Sequence, residues 1–140
     1  MHRLRSHLLL LILTFLGACG DSTSPNEPVA GTYHATSIVF TPTGSAPVDV
    51  LALGGSLDVV LTPRGTTTGT LVIPALLTED GVDDDVIDLA GTYTRTGNTI
   101  TFQQQGDSFI PATEWTIGDG TLSGVYTQPG ATIEVTLTRS

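Results

Sequence analysis

The 140-residue chain has no lysine, one cysteine and one tryptophan, and only three of its five arginines lie beyond residue 5. A single cysteine excludes an internal disulfide. The scarcity of cations against 14 acidic residues makes nucleic acid a poor partner, because such a surface repels phosphate backbones. Ala-, Glu- and Lys-rich helical stretches are missing, and what replaces them is Gly, Thr and Val, a composition that favours strands and tight turns. The longest apolar run, unbroken but for Thr14, covers nine residues, 8–16, well short of the roughly 20 that a bilayer-spanning helix requires. No Gly-x-Ser-x-Gly motif occurs, and His34 is the one histidine beyond residue 7. A base without a nucleophile and an orienting group does not make a catalytic site, so the chain reads as non-enzymatic with no cofactor. One histidine cannot build a zinc site either.

The amino terminus has the order of a secretory signal. Arg3 and Arg5 precede the apolar run 8–16, and the small residues Gly17 and Ala18 follow it. The segment Leu16-Gly17-Ala18-Cys19 resembles the lipobox of bacterial lipoproteins. That resemblance implies cleavage before Cys19 and attachment of diacylglycerol, with palmitate-type chains, to its sulfur. Gly20 stands where an Asp would favour inner-membrane retention, so the outer membrane is the expected destination. Two or more acyl chains satisfy the need for multiple apolar attachments in stable anchoring. Residues 20–28 are polar and punctuated by proline, which marks a linker. The expected organisation is a signal at 1–18, a lipidated Cys19 with its linker to 28, and one domain at 29–140.

Within that domain eight β-prone runs are separated by turn residues: 31–40, 56–62, 67–73, 87–94, 99–105, 113–117, 121–127 and 132–139. Leu57, Val59 and Leu61 share one parity, as do Ile100 with Phe102, and Ile133 with Val135 and Leu137. Each such strand has one wet face. Short hairpin turns between them predict a meander, and closing a meander removes its exposed edges. The sequence therefore predicts an all-β, eight-stranded antiparallel up-and-down barrel, with a two-sheet sandwich as the alternative.

The domain resembles the small lipocalin-like, or calycin, barrels. Their first strand carries Gly-x-Trp and an Arg near the end of the last strand closes the barrel base. Here Gly31-Thr32-Tyr33 and Arg139 occupy those places, with Tyr for Trp, and Gly-x-Tyr recurs at Gly91-Thr92-Tyr93. The resemblance implies that Arg139 turns inward over Tyr33, and that the interior holds a small apolar or amphipathic ligand.

Trp115, Phe109, Phe102, Tyr93 and Tyr126 could line such a cavity or fill it. Tyr33, Tyr93, Phe102, Trp115 and Tyr126 are the residues expected to touch a ligand. The run 79–85 gathers Glu79, Asp80, Asp83, Asp84 and Asp85, hard oxygen donors that could take calcium, although they lack EF-hand spacing. The plain alternative is a solvated acidic loop. Parity places His34 with Thr32 and Thr36, on the face away from Tyr33. Two functional readings stay open: a membrane-anchored carrier of a small apolar molecule, or a packed β-module that engages another envelope component.

Overall fold

A computed structural model describes residues 26–140; the expected signal, Cys19 and most of the linker lie outside the described residues. The described chain forms ten strands: β1 (Gly31–Pro42), β2 (Val48–Asp49), β3 (Ser56–Leu61), β4 (Thr66–Ile73), β5 (Asp85–Asp88), β6 (Gly91–Thr96), β7 (Thr99–Gln104), β8 (Trp115–Ile117), β9 (Thr121–Gln128) and β10 (Ala131–Arg139). Its only helical pieces are four three-residue 3-10 turns. Eight strands hydrogen-bond in the order β1, β3, β4, β6, β7, β8, β9, β10, and β10 returns to β1 from Tyr33–Arg139 to Pro42–Ala131. Every pairing is antiparallel. The sheet is thus a closed up-and-down barrel, and the two-sheet sandwich is excluded.

The two remaining strands patch the wall. β2 pairs with the far half of β1, through Val39–Asp49 and Phe40–Val48. β5 pairs with the far half of β4, and β6 with its near half, in unbroken register. The run 87–94 is therefore continuous in register, divided into β5 and β6 at Leu89-Ala90, where Leu89 still donates to the Gly69 carbonyl at 3.0 Å. Its alternation continues through the division, with Leu89 and Tyr93 both buried.

Alternation also explains the core. Leu57, Val59, Leu61, Ile100, Phe102, Val135 and Leu137 are all buried, while Thr101, Glu134 and Thr138 face solvent. β1 departs from strict alternation because a bulge falls between Ala35 and Ser37. The extra residue, Thr36, resets the parity so that Tyr33 and Ala35 before it, and Ile38 and Phe40 after it, all reach the interior cluster. The closed sheet runs from Gly31 to Arg139, and the residues of its core from Val29 to Leu137.

The two ends differ. At one end, the base, the connections are short: 62–65, 97–98 and 118–120. At the other end lie 43–47 and 50–55, the long 74–84 segment, 105–114, and the two-residue turn 129–130. Eight short walls bent into a narrow ring need places where strands come very close, and glycine supplies them. A Cβ on Gly69 would stand 2.1 Å from the Asp58 carbonyl oxygen, and one on Gly91 would stand 2.1 Å from that of Gln103. Gly97 differs: it has φ +60° and open space around it.

These glycines separate crowding from backbone strain. Gly69→Ala and Gly91→Ala are expected to cost about 3 kcal/mol or more each, the upper end of overpacking, because the obstacle is backbone. Gly97→Ala should cost only about 1 to 2 kcal/mol, the penalty of a left-handed conformation. Urea midpoints of the three variants check this, and a Gly97 variant as damaged as the other two would contradict it.

Candidate functional site

The base is shut by the segment that leads into β1. The Asn26 carbonyl accepts from the amides of Val29 and Ala30, both at 3.0 Å, which curls residues 26–30 across the opening. Val29 is buried beneath it. Two tyrosines then fasten the base to the wall. Tyr33 donates its hydroxyl to the Val29 carbonyl at 2.9 Å, and Tyr93 donates to the Thr62 carbonyl in the β3–β4 turn. A phenol suits this place because its ring fills the core and its hydroxyl satisfies a carbonyl at the rim.

Arg139 is the register partner of Tyr33, and its stem crosses Gly31, where a Cβ would meet its Cδ at 2.7 Å. Its guanidinium stays exposed and donates through Nη1 to the carbonyls of Pro28 (3.1 Å) and Ala30 (3.4 Å). The expectation of an inward guanidinium thus gives way to a stem that covers the base and a head that ties the entry segment at its edge. Desolvation accounts for the difference: a buried cation without a countercharge is costly, and a long side chain can cover apolar surface while its charge stays wet.

Above the base the barrel is solid. Phe102 meets Trp115 edge to face with ring centroids 5.9 Å apart, and Tyr93 lies 6.4 Å from Phe102 on the other side. Trp115 is fully buried, donates its indole N–H to the Ile110 carbonyl at 3.3 Å, and rests on Gly124. Tyr33, Tyr93, Phe102 and Trp115, four of the five aromatics expected to touch a ligand, are used up in this packing. The interior also contains a polar pair, Gln104 and buried Thr67, joined by a long 3.5 Å contact.

The remaining space lies at the opposite end. An apolar cavity of about 280 Å³ is bounded below by buried Ile38, Val50 and Leu71 and at its sides by half-buried Phe40, Ile73, Leu77, Phe109 and Ile133. Tyr126, the fifth expected residue, is the register partner of cavity-lining Ile133, on the same face of β9 as cavity-lining Gln128, with its ring 6.1 Å from that of Phe109. The aliphatic residues that dominate the cavity were visible in the sequence only as core-facing positions. What distinguishes them is that their strands end here and the 74–84 and 105–114 connections must bridge the gap.

Beside this mouth runs the acidic segment. Ile73 and Leu77 line both the apolar cavity and a shallow depression bordered by Glu79, Asp80, Asp83, Asp84 and Asp85. Two of these carboxylates hold the loop itself. Asp80 accepts from the Val82 amide (3.1 Å) and the Thr78 hydroxyl (3.0 Å), and these bonds hold its carboxyl below the usual range. Asp84 accepts from the Ala75 amide at 2.8 Å. Among the described residues no three carboxylate, histidine or cysteine side chains converge as metal ligands, and the calcium candidates Asp80, Asp83, Asp84 and Asp85 are spread along the loop. His34 is on the outer wall, where its Nδ1 pairs with Asp58 across the β1–β3 ladder. It is a cross-strand pair, remote from the cavity.

Burial pushes both base tyrosines above the ordinary phenol pKa of about 10, with the Arg139 and Arg95 charges, respectively, opposing that rise. The folded state therefore holds these protons more tightly than the unfolded one. Their contribution to stability is full below about pH 10 and is lost as pH rises through the folded-state values. Urea midpoints should fall above that pH, and Tyr33→Phe/Tyr93→Phe should be less stable at pH 7 yet show a shallower alkaline decline; an equally steep decline in that variant would rule out the tyrosines as its source. Comparison with protein-family models, with curated proteins and with solved structures gives no match to this chain.

Proposed function

We propose that this chain is a lipid-anchored protein of the bacterial envelope whose barrel binds a small apolar or amphipathic molecule without chemically changing it. The observation that carries the reading is the division of the interior. One half is packed with aromatics and sealed by residues 26–30, while the other half keeps an apolar cavity of about 280 Å³ at the end with the long connections. Small-molecule sites are typically apolar hollows of roughly 300 to 1,000 Å³, so this one suits a small hydrophobe or the tail of a larger amphiphile. The anchor rests on Leu16-Gly17-Ala18-Cys19 and the apolar run before it. The outer membrane is the proposed location on the strength of Gly20.

The packed-module reading draws on a different feature. Leu76, Val82 and Val86 on or beside the 74–84 connection are 75%, 72% and 61% exposed, and such residues suit contact with another envelope protein. Binding of a small probe separates the two readings.

The neutral apolar dye N-phenyl-1-naphthylamine should brighten on addition to the domain beginning at Gly20. At ten times its Kd it should stabilise the fold by about 1.4 kcal/mol, visible as a rise of several degrees in Tm. Ile73→Phe/Ile133→Phe, which fills the cavity walls, should abolish the brightening without lowering Tm. Absence of both dye signals in the unmutated domain removes the carrier reading. For the anchor, Cys19→Ser in a bacterial host should prevent labelling by palmitate and leave the precursor uncut; a labelled, normally processed variant would refute it.

A further inference from the structure

The cavity mouth carries charge of one sign, and that sign selects the ligand. Asp85 is the register partner of Ile73, a cavity-wall residue, and cross-strand partners hold their Cβ atoms about 4.5 to 5.5 Å apart. Leu77, another wall residue, leads directly into the run from Glu79 to Asp85. Every arginine among the described residues lies at the far end. Arg64 is in the β3–β4 turn, Arg95 approaches the Gly97 carbonyl at 3.0 Å, and Arg139 fastens the base. The apolar hollow therefore opens past carboxylates with no cationic side chain to receive an anionic head group.

We propose that the ligand is a small amphiphilic cation, an amine or quaternary ammonium on an apolar body, whose hydrophobic part enters the cavity and whose charge rests against Glu79, Asp83 and Asp85. The inference depends on the carrier reading above and sharpens it. It also excludes fatty acids and other anionic amphiphiles as preferred ligands. Exposed Leu76 and Val82 flank the same carboxylates, which gives the rim the mixed apolar and acidic character that an amphiphilic cation matches. Asp80 and Asp84 are engaged by the Val82 and Ala75 amides and keep the loop in shape, leaving Glu79, Asp83 and Asp85 as the carboxylates to meet the head group.

Three probes of equal chain length test the sign: decyltrimethylammonium, decan-1-ol and decanoate, each titrated below its micellar range into the domain beginning at Gly20. The cation should bind roughly five- to twentyfold more tightly than the alcohol at low salt, and the carboxylate more weakly than the alcohol. Raising the ionic strength to about 0.5 M should erase most of that preference. Glu79→Gln/Asp83→Asn/Asp85→Asn should do the same while leaving decan-1-ol affinity unchanged, which shows that cavity and fold are intact. Equal binding of all three probes, tighter binding of decanoate, or a cation preference that survives the triple substitution would overturn the proposal and leave the carrier reading standing. Failure of all three probes to bind would overturn both.

Discussion

The pairing of β10 with β1 is the constraint on which the rest of the molecule depends. Without it two strands of nine and twelve residues would present unpaired backbone along the whole height of a small, acidic domain. The ladder runs from Tyr33–Arg139 to Pro42–Ala131, and it can do so only because the bulge at Thr36 lets β1 bend while it keeps Ile38 and Phe40 inside. The same ladder places Arg139 beside Tyr33 and over Gly31. Ring closure and the sealing of the base are therefore one arrangement, with the last residues of the domain clamping its first.

Closure also decides where a cavity can form. A ring of eight strands is only just wide enough for side chains to fill it, so its contents depend on which residues face inward at each level. Near the base Tyr93, Phe102 and Trp115 interlock, Tyr33 is buried in the same core, and Gly124 makes room for the indole. Toward the other end the inward positions are mostly branched aliphatics, Ile38, Leu71, Ile73 and Ile133, which reach less far across the ring, with Phe40 and Phe109 beside them. β8 contributes only three residues, and 105–114 takes over its place in the wall. Mostly smaller side chains and a three-residue β8 at one level together leave the hollow.

Much of this fold was legible in the sequence because each strand has one wet face. The parity of Leu57, Val59 and Leu61, and of Ile133, Val135 and Leu137, gives the inner face directly, and the glycine turns give the meander. The division at Leu89-Ala90 was not legible, since both alternation and hydrogen bonding carry on through it: Leu89 donates to the Gly69 carbonyl and Ala90 accepts from the Gln105 amide, each at 3.0 Å. The bulge at Thr36 was hidden for the opposite reason: a one-residue insertion changes parity, and Ser37-Ile38-Val39-Phe40 fits either phase. The site was read less well than the fold. Aromatic residues drew the expectation of ligand contact because of their size, but size is also what fills a narrow ring, and of the five Tyr126 alone is paired with a cavity-lining residue, Ile133. Nothing in the sequence pattern marks Ile73 and Leu77 as the residues that join the hollow to the acidic loop; that depends on β5 folding back along β4.

The placement of the ends gives the proposed anchor a definite geometry. Asn26 lies at the sealed base, seven peptide steps along the chain from Cys19. Even fully extended, that length reaches only about 25 Å. A lipid on Cys19 would hold the base toward the membrane, with Arg64, Arg95 and Arg139 on the near side, where an anionic lipid surface attracts them. The carboxylates of 79–85 would then project away from the bilayer, beyond the roughly 8 to 10 Å over which its surface charge acts at physiological salt. A mouth so placed faces the aqueous phase. It would capture amphiphiles dissolved there instead of extracting them from the bilayer that carries the protein, so ligand exchange should not require the barrel to touch its own membrane.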